Sequence, residues 1–444
     1  MRHNLKASFY IMVALLIACT SLFFIPEKAS AESLDLRAES AILVDADTGK
    51  ILYAKQPDIK LPPASMTKMM TEYLVLEAIE EGQISWDTTT EISDYPYELS
   101  ANPAFSGVGL IQDKEYTVRE LYEAMAIISD NGTTIALAEL VAGTESDFVK
   151  MMNEKAEELG LTDYEFVNAT GLSNSHLGDR HPEGTAPDAD NLLSAKSTAM
   201  LAYHLVNDYP EALTVSSTLT TEFDGKQLEN LNWMLPWDNN NFEQFSYDGV
   251  DGLKTGYTEL AGYCFTGTAE RDGRRLISVV MKTESKEVRF EETAKLFDYG
   301  FEQFENKELY PAGYQADDQE TVPVAKGKEE EVEVASSSAF STSVKAGDEE
   351  NYDVKYNIDE DKVNEDGELV APIEDGEKVG TMEVTYNGEE DFGYINNGSK
   401  TKTVDLVTTS AVEKSNWFVL SMSAVGSFFG SVFSTVTDTV KGWF

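Results

Sequence analysis

The sequence predicts an α+β protein built in succession from a mixed helix-and-strand region, a small all-β domain and a C-terminal amphipathic helix. Three observations carry this. Between Ser40 and Phe304, apolar residues recur now at strand spacing and now at helix spacing. From Lys307 the composition turns densely charged, with short alternating runs punctuated by glycine and serine. From Trp417 the apolar residues fall on one side of a helix and the serines on the other. A chain of 444 residues is long enough for two or three domains and a sizeable core.

Charge and cysteine narrow the function classes. The formal net charge of −45, from 34 Lys and Arg against 79 Asp and Glu, excludes a general affinity for nucleic acid, whose phosphates it would repel. Such acidity suits a surface facing high salt or alkaline surroundings, or simply solubility, and names no substrate. Of two cysteines, Cys19 lies in the N-terminal apolar stretch, so the mature chain holds only Cys264 and no intramolecular disulfide. Cys264 reads as a buried strand residue.

Taken in order, Arg2 and Lys6 precede an apolar run from Phe9 to Ala18 that resumes at Leu22, and Ala29-Ser30-Ala31 offers a small-residue cleavage site. This is a secretory signal peptide over residues 1–31, and it predicts export. Leu16-Ile17-Ala18-Cys19 resembles a lipoprotein box, but the apolar run continues past it. Ala41 to Val44, a turn at Asp45 to Gly49, and Ile51 to Ala54 read as a hairpin. The prolines of Leu61-Pro62-Pro63 favour an extended lead-in to a buried helix marked by Met66, Met69, Met70, Tyr73, Leu74 and Ala78.

Thr117-Val118-Arg119-Glu120 fits a capping box, and Val118, Leu121, Met125 and Ile128 form the stripe of the helix it starts. Ser129-Asp130-Asn131-Gly132 breaks that pattern and is expected as a turn between helices. A further helix carries Phe148, Met151, Met152 and Leu159 and stops at Gly160. The polar loop with His176, Asp179, His181 and Glu183 lacks H-E-x-x-H spacing, so no metal site is assigned to it. Ser194 to Val206 is helical. Gly249 to Gly256 leads into a strand, and Tyr263 to Ala269 pairs with Leu276 to Met281 around Asp272-Gly273. Phe290, Ala294, Phe297, Phe301 and Phe304 form the stripe of the helix that closes this region.

In the β region, Val332 and Val334, Tyr352 to Ile358, and Met382 to Tyr386 mark strands. At the C-terminus, Ser415 to Thr437 carries no charge and is long enough to span a bilayer, while its sidedness favours a helix lying in the interface.

Three short motifs carry the chemistry. Ser65 and Lys68 stand one turn apart on the same helix face, so the amine can reach the hydroxyl. A serine needs such a base to become a nucleophile, and lysine serves where burial or a nearby cation holds it neutral. Alone, this pair is weak. With Ser129-Asp130-Asn131 and Lys254-Thr255-Gly256 it completes the S-x-x-K, S-D-N and K-T-G set shared by penicillin-binding proteins and class A β-lactamases.

From about Ala41 to its end the chain resembles the low-molecular-mass penicillin-binding proteins, the serine D-alanyl-D-alanine carboxypeptidases. The likeness runs through Pro63 to Thr71, Asn168-Ala169-Thr170-Gly171-Leu172 and Gly252 to Thr258. It implies a penicillin-binding/β-lactamase-like catalytic domain over 32–306, an antiparallel sheet flanked by helices. A small β domain over 307–408 and a C-terminal membrane anchor over 409–444 would follow. Removal of the terminal D-alanine from peptidoglycan pentapeptides is implied, at the outer face of the bacterial cytoplasmic membrane, with β-lactam antibiotics as covalent inhibitors and no cofactor.

By the same resemblance Ser65 attacks, Lys68 is its base, Ser129 relays the proton and Asn131 orients the substrate amide. Lys254 and Thr255 hold the terminal carboxylate, Gly256 lets the substrate backbone approach, and the N–H groups of Ser65 and Tyr257 form the oxyanion hole. Two rival readings remain. A class A β-lactamase needs a glutamate in E-x-x-L-N, and Glu165-Phe166-Val167-Asn168 is one residue short. An inactive wall-binding scaffold would keep the motifs without the chemistry.

Overall fold

A five-stranded antiparallel sheet lies at the centre of the computed structural model, which describes residues 34–238, 241–396 and 400–416. Its strands are β1 (Ser40–Asp45), β2 (Ile51–Lys55), β3 (Val250–Thr258), β4 (Gly262–Arg271) and β5 (Arg274–Thr283), in the order β2-β1-β5-β4-β3. The expected hairpins are present: Leu43 pairs with Tyr53, and Phe265 with Val280. β5 sits between β1 and β4 and buries Leu276 to Met281. β3 is an edge strand, so one side of it is open to another chain.

One cluster of buried side chains joins this sheet to α1 (Lys68–Glu80), α2 (Val118–Ile128), α3 (Asn131–Ala142), α4 (Glu145–Glu158) and α5 (Ala195–Asp208), while α6 (Lys286–Gln303) packs on β4 and β5. The expected capping box is formed, with Thr117 Oγ1 accepting from Glu120 N at 3.2 Å and Glu120 Oε2 accepting from Thr117 N at 2.8 Å. Ser194 caps α5 as its side chain accepts from Ser197 N. Cys264 is buried and free within β4.

Three local expectations change. Ser65 lies in a single 3-10 turn, Ala64–Thr67, that runs straight into α1. Asn131 is not in a turn but opens α3, because Asp130 takes over as cap and accepts from Thr133 N. Phe304 leaves the helical stripe for an extended conformation and starts β6 (Phe304–Tyr310).

The β region holds two sheets. β6 pairs with β9 (Phe340–Lys345). A six-stranded sheet runs β10-β12-β13-β8-β7-β11 from β7 (Thr321–Ala325), β8 (Glu331–Ser336), β10 (Tyr352–Ile358), β11 (Leu369–Val370), β12 (Lys378–Tyr386) and β13 (Thr401–Thr408). Valines alternate inward along β7 and β8, as a half-buried strand requires.

The described residues from Arg37 onward form one unit, and the β1–β2 turn is where the β region grips the central sheet. Ile395 N donates to Gly49 O at 2.7 Å, and Ile51 N to Gly393 O at 2.9 Å. Lys50, almost fully buried, pairs with Asp391 at 2.9 Å, and Ser343 Oγ donates to Asp45 Oδ2 at 2.7 Å. The expected signal peptide, Cys19 and the helix expected over Trp417 to Phe444 lie outside the described residues. Among the described residues no helix is long and apolar enough to cross a membrane.

Candidate active site

The 3-10 turn explains why serine and lysine meet. With three residues per turn, positions i and i+3 stand directly above one another. Ser65 Oγ lies 3.2 Å from Lys68 Nζ. Ser65 is half-buried, whereas Lys68 has no solvent exposure. Ala64, just before Ser65, is held at a positive φ of 49°, a conformation a non-glycine residue adopts only under constraint from its surroundings.

That constraint comes from two sides. Leu61 exchanges backbone hydrogen bonds with Leu193, each 3.0 Å, which anchors the proline lead-in. The 168–172 loop presses on the turn, since a Cβ at Gly171, whose φ is +83°, would meet Ala64 O at 1.9 Å. Asn168 braces this loop: its Oδ1 accepts from Thr170 N at 3.1 Å, Thr170 Oγ1 at 3.0 Å and Gly171 N at 2.8 Å.

Lys68 Nζ donates to Asn131 Oδ1 at 2.8 Å and to Thr170 O at 2.7 Å. Both partners can only accept. A neutral amine has two N–H bonds and one lone pair, so with both N–H bonds so used the lone pair faces the Ser65 hydroxyl. The orientation of the Asn131 amide is fixed independently, because its Nδ2 donates to Ser106 O at 3.1 Å. Burial pushes the Lys68 ammonium well below its ordinary range, and repulsion from Lys254 adds to it, against the opposing pull of Asp130 and Glu72.

The other motif residues converge on the same cleft. Ser129 ends α2 in the left-handed region, φ 65°, and its buried hydroxyl has no hydrogen-bond partner. Asp130, between them, accepts from Ser100 Oγ at 2.9 Å and Val108 N at 2.5 Å, tying the 102–110 loop beside the site. β3 packs against the serine turn and brings Lys254 and Thr255, both buried, to it. Burial lowers the Lys254 ammonium, Glu72 raises it, and Arg289 lowers it further.

Gly256 is required for a reason the sequence did not reveal. A Cβ there would meet Pro63 O at 2.4 Å, so the missing side chain lets β3 close on the serine turn. Tyr257 is half exposed and stacks on Tyr263 with ring centroids 4.3 Å apart. Asn131 makes one protein bond at each end of its amide, which leaves a second N–H and a second lone pair for a substrate amide.

Four further residues belong to this site and escaped the sequence reading. Thr170 acts through its backbone carbonyl, which leaves no compositional trace. Arg289, on α6, is buried with Nη1 3.4 Å from Gly256 O and Cys264 O and adds positive charge behind Lys254. Glu72 lies on α1 one turn beyond Lys68, a spacing that could have flagged it. Glu145 accepts from Ala169 N at 3.0 Å and so holds the loop that carries Thr170.

The residues behind the rival readings have other partners. Glu165 is exposed, on a short strand paired with Leu192, and Asn168 is committed to bracing its loop. His176 packs its ring 5.9 Å from Phe105, and His181 Nδ1 lies 3.2 Å from Pro182 O and Thr185 Oγ1.

Comparison with known proteins adds the following. Residues 27–285 match the sequence profile described as D-alanyl-D-alanine carboxypeptidase, and residues 304–414 match that of the C-terminal domain of penicillin-binding protein 5. The D-alanyl-D-alanine carboxypeptidase DacF of Bacillus subtilis is 33% identical over 386 residues, covering 87% of this chain and 91% of its own. A peptidoglycan synthesis regulatory factor of Streptococcus pneumoniae is similar in structure, with a TM-score of 0.66 and 34% identity over 85% of this chain and 99% of that one. Penicillin-binding protein D2 of Listeria monocytogenes, solved in its ampicillin-bound form, has a TM-score of 0.51 and 35% identity over 60% of this chain and 98% of its own.

Proposed function

The chain belongs to the D-alanyl-D-alanine carboxypeptidase family, and from that premise we propose how its residues carry out the reaction. The substrate is a peptidoglycan stem peptide ending in D-Ala-D-Ala. Ser65 Oγ attacks the carbonyl between the two D-alanines as its proton passes to Lys68 Nζ. The backbone N–H groups of Ser65 and Tyr257 receive the oxyanion. Ser129 relays the proton to the departing amine, D-alanine leaves, and water then cleaves the Ser65 ester. Lys254 and Thr255, with Arg289 behind them, hold the terminal carboxylate.

The arrangement of Lys68 is the observation that carries this reading. Its two acceptor-only partners, Asn131 Oδ1 and Thr170 O, leave the lone pair for the serine. No cofactor enters the scheme.

A β-lactam presents a strained amide and a carboxylate to the same groups, and the ampicillin-bound Listeria relative supports this use of the site. β-Lactams would therefore acylate Ser65 and persist there, because the one glutamate near an E-x-x-L-N pattern, Glu165, is one residue out of register and exposed on a strand paired with Leu192. This disfavours the β-lactamase alternative. An inactive scaffold is disfavoured by the presence of nucleophile, base and anion site together.

The domain limits we assign are 1–31 for the signal peptide, 32–306 for the catalytic domain, 307–408 for the β domain and 409–444 for a C-terminal anchor. Export to the outer face of the cytoplasmic membrane, with the last helix lying in the interface, follows from the sequence of the two termini. The test is to incubate the chain, cut before Trp417, with a pentapeptide ending in D-Ala-D-Ala. Release of free D-alanine, lost in Ser65→Ala, is expected, and its absence from the parent protein would refute the assignment.

A further inference from the structure

β3 presents its substrate-binding groups in a fixed order. Lys254 and Thr255, assigned to the terminal carboxylate, come first, and Tyr257, whose N–H is assigned to the oxyanion, comes two residues after Thr255. A bound peptide therefore points its C-terminus toward Lys254, and its upstream residues run on past Tyr257 along the open edge of the sheet. An extended chain advances about 3.3 Å per residue on substrate and strand alike. The residue preceding the two D-alanines then falls opposite the end of β3 and the turn that follows it.

That end of the strand carries apolar surface with nothing over it. Tyr257 is 49% and Leu260 59% exposed, which makes them two of only six large apolar side chains so exposed among the described residues. Both are held in place from behind. Tyr257 stands directly opposite Tyr263 of β4, and their rings stack with centroids 4.3 Å apart and planes 25° from parallel. Thr258 pairs with Gly262, and its Oγ1 accepts from Ala261 N at 3.0 Å, which closes the turn that carries Leu260. A ring already fixed by stacking loses little rotamer freedom when a ligand lies against it.

We infer that the stacked Tyr257–Tyr263 pair and Leu260 form a specificity ledge for the residue preceding the two D-alanines, favouring a long unbranched aliphatic side chain such as the methylene stem of lysine. The inference deepens the carboxypeptidase reading and rests on its assignment of Lys254, Thr255 and Tyr257. Methylenes that leave water for an aromatic face and a leucine gain free energy in proportion to the area covered. Binding energy from a part of the substrate remote from the scissile bond is expressed in kcat/KM. An alanine at the same place offers the ledge a single methyl group.

The test measures D-alanine release by the full chain from N-blocked tripeptides X-D-Ala-D-Ala, with alanine, norleucine or lysine as X. Norleucine, longer than alanine by about three methylenes, should raise kcat/KM about tenfold, and lysine at least as much, since its ammonium can also meet the ring face. In Leu260→Ser that advantage of norleucine over alanine should narrow to about threefold. Equal kcat/KM for the three peptides with the parent protein, which needs no variant, would overturn the inference. So would an undiminished norleucine advantage in Leu260→Ser, or a loss shared equally by all three peptides, the mark of a merely structural role.

The other occupant of an exposed apolar surface is a second copy of the chain. Self-association abolished by Leu260→Ser, with no discrimination among the peptides, would give the ledge to that contact and overturn the inference. Release of D-alanine from none of the peptides would reject the carboxypeptidase reading itself, whereas release from all three alike rejects the ledge alone.

Discussion

The carbonyl oxygen of Thr170 stands 2.7 Å from Lys68 Nζ, although the two residues are 102 positions apart in the chain. That contact makes the 168–172 loop part of the base. The loop dictates where the amine's one lone pair points, and the Asn168 side chain holds the loop. Asn168→Ala removes four accepted hydrogen bonds at once, from Thr170 N, Thr170 Oγ1, Gly171 N and Asn191 Nδ2. Penicillin acylation should fall about 10–100-fold, with a loss of about 2–4 kcal/mol in denaturant-measured stability from the buried groups left unpaired.

Ser129 should show the opposite balance. Its hydroxyl is buried without a partner, so Ser129→Ala forfeits no internal hydrogen bond and keeps a Cβ in the same left-handed backbone. Calorimetry should find the unfolding temperature within about 2 °C of the parent. Release of D-alanine should nevertheless drop about 10²-fold, the usual worth of a positioned proton donor.

Gly256 tests the seam between β3 and the serine turn. In Gly256→Ala the new methyl group meets Pro63 O at 2.4 Å, and backbone on both sides must part. The expected result is a rise in KM for the peptide together with acylation slowed about 100-fold, since misplacement by about 1 Å is enough for such a loss. Acylation at the parent rate would show that β3 does not close on Ser65.

Stability should respond to pH through Glu145. Burial pushes its carboxyl up to about 8, so the folded protein holds this proton where the unfolded chain, ionising near 4.5, has released it. Folding stability therefore falls as pH rises from about 4.5 and levels off above about 8. Glu145→Gln removes that loss, so its unfolding temperature should exceed the parent's at alkaline pH and match it in acid.

Much of this molecule was legible in its sequence because the signals were local. The Thr117–Glu120 capping box, the β4–β5 hairpin and the apolar run after Pro63 each fix their own element, and the three motifs mark the cleft. What escaped was set by distant contacts. Asn131 looked like a turn residue because Asn-Gly favours turns, yet the Asp130 cap and packing of α3 made it helical. Phe304 continued a helical stripe but was drawn into a strand by pairing with Lys345. The space demanded by Pro63 at Gly256 and the lysine partner on Thr170 involve backbone atoms, which carry no residue identity.

Whether a neutral Lys68 takes the proton of Ser65 is tested by Lys68→Arg, because a guanidinium fills the site but never gives up its charge. The measurement is the second-order rate of fluorescent-penicillin acylation, with the adduct mapped to its peptide. Label on Ser65 in the parent and a rate at least about 10³-fold lower in the variant are expected. A variant acylated within about tenfold of the parent rate would contradict it.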